Sequence, residues 1–196
     1  METKTNAVGK TSCPAADLFE MALANHCAPV LFGKKPAALF PERCFPKDCP
    51  WQLLYDQGFQ TVRLSGSNRF PLILIYHPKL LEASLANEAI YNKLKEIGYP
   101  IQKNWRSLLG FLYKRFRESS TFPHEVGFFL GYPPEDVLGF MRCPKNDKLC
   151  GVWKVYGDED QATRRFAEYA RCREILVERV KSGGSILNDG LSALAG

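Results

Sequence analysis

The chain has 196 residues, 45% of them hydrophobic and 24% charged, with a formal net charge of +5. That length allows one domain with a real core, without metal or disulfides to hold it. No run of about eighteen apolar residues occurs, so no membrane span is expected. The mild positive charge is spread along the chain and does not call for nucleic acid.

Residues 1–14 are polar and small, and read as a disordered lead-in closed by Pro14. This stretch has no apolar segment of signal-peptide type, so a cytoplasmic location is expected. "VGKTS" within it resembles the end of a phosphate loop. The earlier glycine of that motif would fall at Lys4, which excludes it. A single α+β domain is expected over 15–182, followed by a flexible tail over 183–196.

"AADLFEMALANHC" carries Leu18, Met21 and Leu23 at helical spacing, and Pro29 is expected to end that helix. "PVLFGKKPAALFPERC" reads as short helical pieces broken by Gly33 and Pro36. "PWQLLYDQGF" suggests a short helix stopped at Gly58. "FQTVRLSGSNRFPLILIYH" predicts a hairpin, with strands at Thr61–Leu64 and Pro71–Tyr76 and "SGSN" as its turn. The nearly unbroken apolar run "LILIY" predicts a central strand covered on both faces.

One or two helices follow in "PKLLEASLANEAIYNKLKEIGYP", ending at Gly98. Asn104 is expected to cap a helix whose apolar stripe is Trp105, Leu108, Leu109, Leu112 and Phe116. Arg106, Lys114, Arg115 and Arg117 on the same helix form the tightest basic cluster, expected as a solvated face. "TFPHEVGFFLGYPPEDVLGF" reads as strand, turn and short helix, with Glu135 and Asp136 complementing the helix dipole. "GVWKVYGD" predicts a fourth strand. Asp158 and Gln161 predict the cap of a last helix with a stripe through Ala162, Phe166, Tyr169, Cys172, Leu176 and Val180, ended by "SGGS". The sum is an α+β fold: a small, mostly antiparallel sheet of about four strands with several helices.

Candidate sites follow from these elements. On a strand, His124 and Glu125 would point to opposite faces. Glu125, Gly127, Phe129 and Gly131 would then share one face, notched by glycines that let a ligand approach. Tyr132 and Lys154, the latter between Trp153 and Tyr156, would border the same face. His124–Glu125 is not a zinc-protease motif, because Phe128 stands where the second histidine would be. A thiol-dependent enzyme is the alternative, with Cys27 as nucleophile and His124 as base.

Seven cysteines exclude a closed set of disulfides and are expected as free thiols. The pairs Cys44–Cys49 and Cys143–Cys150 have four and six intervening residues. The second lies outside the usual zinc spacing of roughly two to four, so no metal ligand is assigned.

"FPHEVGFFLGYPPEDVLGF" and "GVWKVYGDEDQATRRFAEYARC" together resemble the bacterial domain of unknown function 3793 family. That family's short motifs PHE and LGYP correspond to Pro123–His124–Glu125 and Leu130–Gly131–Tyr132–Pro133. "NHCAPVLFGKKPAALF" and "FPLILIYHPKLL" extend the resemblance over most of residues 17–175. It implies a bacterial, single-domain, cytoplasmic protein, and carries no assigned activity or cofactor. Three functions remain in order: a small-molecule or cofactor-binding accessory protein, a thiol hydrolase or transferase, and a protein-interaction module of unknown partner.

Overall fold

Residue alternation in one strand organises the whole chain. A computed structural model describes residues 14–65, 71–100 and 104–187. In it, β1 (Ala37–Pro41), β2 (Gln60–Leu64) and β3 (Leu72–Tyr76) form an antiparallel sheet with β3 in the middle. Successive side chains of a strand point to opposite faces. Ile73 and Ile75 accordingly enter one apolar cluster, while Leu74 and Tyr76 enter another. The expected central strand, covered on both faces, is what is found.

The first face is covered by two long helices. These are α1 (Pro14–Leu31) and α8 (Glu159–Lys181), which contribute Phe19, Leu23, Val30, Cys172 and Leu176. The second face is covered by α3 (Pro78–Leu85), α4 (Glu88–Glu96), α5 (Trp105–Glu118) and α6 (Val126–Phe129). The short α2 (Trp51–Asp56) packs Leu54 into the first cluster. α7 (Pro134–Arg142) leads to a separate two-stranded ribbon, β4 (Leu149–Cys150) and β5 (Lys154–Val155). The fold is α+β, with predominantly antiparallel pairing, as the sequence indicates.

The caps follow sequence logic. Asn104 Oδ1 accepts from the Arg106 amide at 2.9 Å, and Asp158 Oδ1 accepts from the Gln161 amide at 2.9 Å. The expected stripe of α5 is fully buried. Its basic residues are engaged: Arg115 bonds Glu125, Arg106 lies over Trp105, and Arg117 lies over Tyr113.

Four expectations require correction. First, α1 runs through Pro29 to Leu31. A proline costs its own helical N–H, but here Cys27, Ala28, Val30 and Leu31 are at most 5% exposed, and their burial outweighs the loss. Gly33, at φ +68°, stops the helix instead. Second, "AALFP" is strand rather than helix. Lys35 and Phe40 each precede a proline, which disfavours the helical region, and the open edge of β3 supplies the pairing partner.

Third, 125–131 is not a strand. Val126, Gly127 and Phe128 amides donate to the Pro123, His124 and Glu125 carbonyls at 3.0–3.2 Å, and Leu130 N donates to Val126 O at 3.0 Å. These bonds make one helical turn. All four residues of α6 are buried, so no periodic face exists to read. Fourth, "GVWKVYGD" is strand only at Lys154–Val155, and its partner is β4 rather than the main sheet.

The chain beyond α8 is anchored farther than expected. Ile186 and Leu187 are buried in the first cluster, at 0% and 2% exposure. Glu20, itself 6% exposed, accepts from Ser185 Oγ at 2.6 Å and from the Ile186 amide at 2.5 Å. The lead-in through residue 13, with its "VGKTS", most of the "SGSN" turn, and the tail from 188 onward lie outside the described residues.

Glu20→Ala leaves the buried Ile186 amide without its acceptor. It should destabilise the protein by about 1–3 kcal/mol and raise hydrogen exchange at Ile186 and Leu187 selectively. Unchanged exchange at both amides would show that apolar packing alone holds this segment.

Candidate functional site

The site begins with a buried carboxylate. Pro134 starts α7, which places Glu135 and Asp136 in its first turn. Glu135 is exposed, but Asp136 is only 3% exposed and reaches across to the ribbon. Its Oδ2 accepts from Trp153 Nε1 at 2.7 Å. Its Oδ1 accepts from the Tyr156 and Gly157 amides at 2.7 and 2.8 Å. Three donors at charge-assisted distances satisfy a buried carboxylate. The helix-dipole reading therefore describes only part of what Asp136 does.

Those bonds fix Trp153, and aromatic packing does the rest. Tyr132 stacks on Trp153 with centroids 4.9 Å apart, and Phe166 meets its other side edge-on at 4.5 Å. Gly139 and Gly151 permit this approach: a Cβ at either would lie 2.3 Å from the ring of Tyr156 or Phe166.

Between α6, α7 and the ribbon lies a groove of about 250 Å³. Leu39, Val126, Leu130, Val137 and Phe140 supply apolar walls, and Tyr132 and Trp153 supply aromatic ones. His124 stands exposed at its edge, 5.3 Å from the Phe122 ring and 4.8 Å from the Phe140 ring between centroids. Lys154 also lines the groove, with Nζ held by Asp147 Oδ1 and Pro144 O, each at 2.8 Å.

Three of the residues picked from sequence, His124, Tyr132 and Lys154, thus meet at one groove. The others do not. Glu125 is 2% exposed and accepts from Arg115 Nε at 2.9 Å and from Tyr99 OH at 3.3 Å. Burial and this carboxylate push the Tyr99 phenol well up. Phe129 is wholly buried, and Gly131 serves the chain reversal. Its φ is +74°, and a Cβ there would lie 2.5 Å from Pro36 Cδ. The glycine-notched strand face is replaced by a helical turn whose glycine Gly127 lies against Val137 and Tyr132.

Cys27 is 0% exposed within the core, and burial pushes its thiol well above the ordinary range. A nucleophilic thiol requires the opposite shift. The six described cysteines are free: Cys27, Cys44, Cys49, Cys143, Cys150 and Cys172. Cys49 donates its thiol to Pro46 O at 2.9 Å. Among the described residues no cluster of three or more His, Cys, Asp or Glu is placed to hold a metal.

One residue escaped the sequence reading. Lys35 is 8% exposed, with Nζ 4.9 Å from the Tyr132 ring centroid. Burial lowers its amine to about 8, against a smaller opposing influence of Cys27. In "GKKP" it is indistinguishable from Lys34, which is exposed and pairs with Glu168 at 2.9 Å. Only the prolines and apolar residues that follow hint that the chain has turned inward.

Asp136→Ala leaves three buried donors unmet and should cost about 3 kcal/mol or more. It should also remove the contribution of Trp153 to near-ultraviolet circular dichroism. A stable variant with an unchanged spectrum would show that the carboxylate does not hold the ribbon.

The lowered Lys35 amine has its own signature. The folded state holds fewer protons on it than the unfolded chain between about pH 8 and the ordinary lysine value near 10.4. Its contribution to stability therefore rises with pH across that window. Cys27 acts in the opposite sense above the ordinary thiol value, so the comparison must be differential. The stability gain of Lys35→Met over the unaltered protein should be largest below pH 8 and shrink toward pH 10. A difference constant with pH would place the amine in solvent.

A model of a family described as "Protein of unknown function (DUF3793)" matches residues 23–188. That span holds both the groove and Lys35. No curated protein and no solved structure matches. The chain belongs to the DUF3793 family.

Proposed function

We propose that this protein binds a small, largely apolar ligand in the groove between α6, α7 and the β4–β5 ribbon. The supporting observation is the concave wall of Tyr132, Trp153, Val137 and Phe140, with His124 at its edge. Ligand sites are typically concave and apolar, with a few polar groups that fix orientation. The volume of about 250 Å³ suits a ligand of one or two rings. His124 offers ring nitrogens that can donate or accept a hydrogen bond. Lys154, paired with Asp147, adds a fixed polar edge. The activity is that of an accessory binding protein acting in the cytoplasm of a bacterium.

Thiol chemistry with Cys27 and His124 fits less well. The sulfur is enclosed in the core while the imidazole stands at an exposed edge. Native alkylation with iodoacetamide should leave Cys27 unmodified while exposed Cys143 and Cys150 react. Prompt labelling of Cys27 would revive the enzyme reading.

Isothermal titration with indole tests the groove. Indole should bind the unaltered protein, and Phe140→Glu, which places a charge on the wall, should weaken it about tenfold or more. Equal affinity in both proteins would contradict the assignment.

A further inference from the structure

Lys35 sits at the inner end of a second cavity. This cavity, about 230 Å³, lies between α1 and α8, and its lining shares only Val152 with the groove. Two cationic side chains converge on it, Lys35 within and Arg173 at the exposed edge, with the His26 imidazole beside Arg173. Among the described residues no carboxylate lines it. The Arg173 guanidinium is held by the neutral Asn25 Oδ1, at 2.8 Å from Nη2 and 3.1 Å from Nε. Its charge is therefore oriented but not cancelled.

Among the described residues Lys35 has no carboxylate partner. The nearby acid of α8, Glu168, is taken by Lys34. The neighbouring thiol of Cys27 stays protonated because burial raises it, and Tyr132 and Tyr169 are likewise raised by burial. A buried ammonium without a counter-charge is costly unless something anionic arrives. Apart from Asn25 and Tyr169 the remaining lining is apolar, with Val30, Ala38 and Phe166 along its walls.

We propose that this cavity is a binding site for a small carboxylate with an apolar or aromatic body. The carboxylate meets the Lys35 ammonium, the body lies against Val30 and Phe166, and Arg173 draws the anion in from solvent. His26 at the edge is lowered by burial and by Arg173, and contributes as a neutral donor. The assignment is independent of the groove between α7 and the ribbon.

Sodium benzoate is the probe, with benzyl alcohol and sodium chloride at matched concentrations as controls. Benzoate should bind the full chain and raise its melting temperature, while neither control does. Lys35→Met, which removes a buried charge, should remain folded and lose benzoate binding by about tenfold or more. Arg173→Gln, at the surface, should weaken it severalfold. Affinity for the unaltered protein should fall above about pH 8 as the amine loses its proton. Benzyl alcohol matching benzoate, equal binding by Lys35→Met, or no benzoate binding would each overturn the assignment.

Discussion

The Asp136 carboxylate determines where the ribbon lies. Three hydrogen bonds of 2.7–2.8 Å tie α7 to Trp153, Tyr156 and Gly157. The ribbon is also held by the buried cluster of Trp153, Val155, Ala162 and Tyr169, and these bonds set where its two short strands meet α7. With them, Trp153 is clamped between Tyr132 and Phe166, and a concave wall forms. An acid bonded to backbone amides twenty residues away is a long-range cross-link, worth more here than local capping.

The main sheet plays a different part. It separates two apolar clusters, and its central strand feeds both. One cluster is closed by two long helices and by the segment after α8; the other is closed by four shorter helices. The groove forms where α6 and α7 leave the second cluster to meet the ribbon. The cavity with Lys35 forms between α1 and α8, beside Ala38 of β1. Tyr132 touches both regions, lining the groove with its ring while Lys35 lies over that ring.

Much of this was legible from residue types. The apolar run of β3, the stripe of α5 and the caps at Asn104 and Asp158 each have a local physical signature. Pro29 and "AALFP" misled because tertiary burial and a waiting strand edge override local preference. The 125–131 segment misled for a related reason. Its valine and phenylalanines favour strand, and complete burial removes the period that would mark a helix. His124, Tyr132 and Lys154 were selected on a wrong local geometry yet meet at one groove, because Tyr132 and Lys154 flank the anchored Trp153. Lys35 leaves only a faint trace, because Lys34 beside it is exposed and just the prolines and apolar residues that follow mark the inward turn.

In the proposed reading, the wall built on Asp136 receives a ligand. Intermolecular nuclear Overhauser effects between indole and the protein examine this contact by contact. Indole protons should show contacts to the Val137 methyls and to the Trp153 and Phe140 rings. Contacts confined to other surfaces, or none at saturating indole, would rule the groove out.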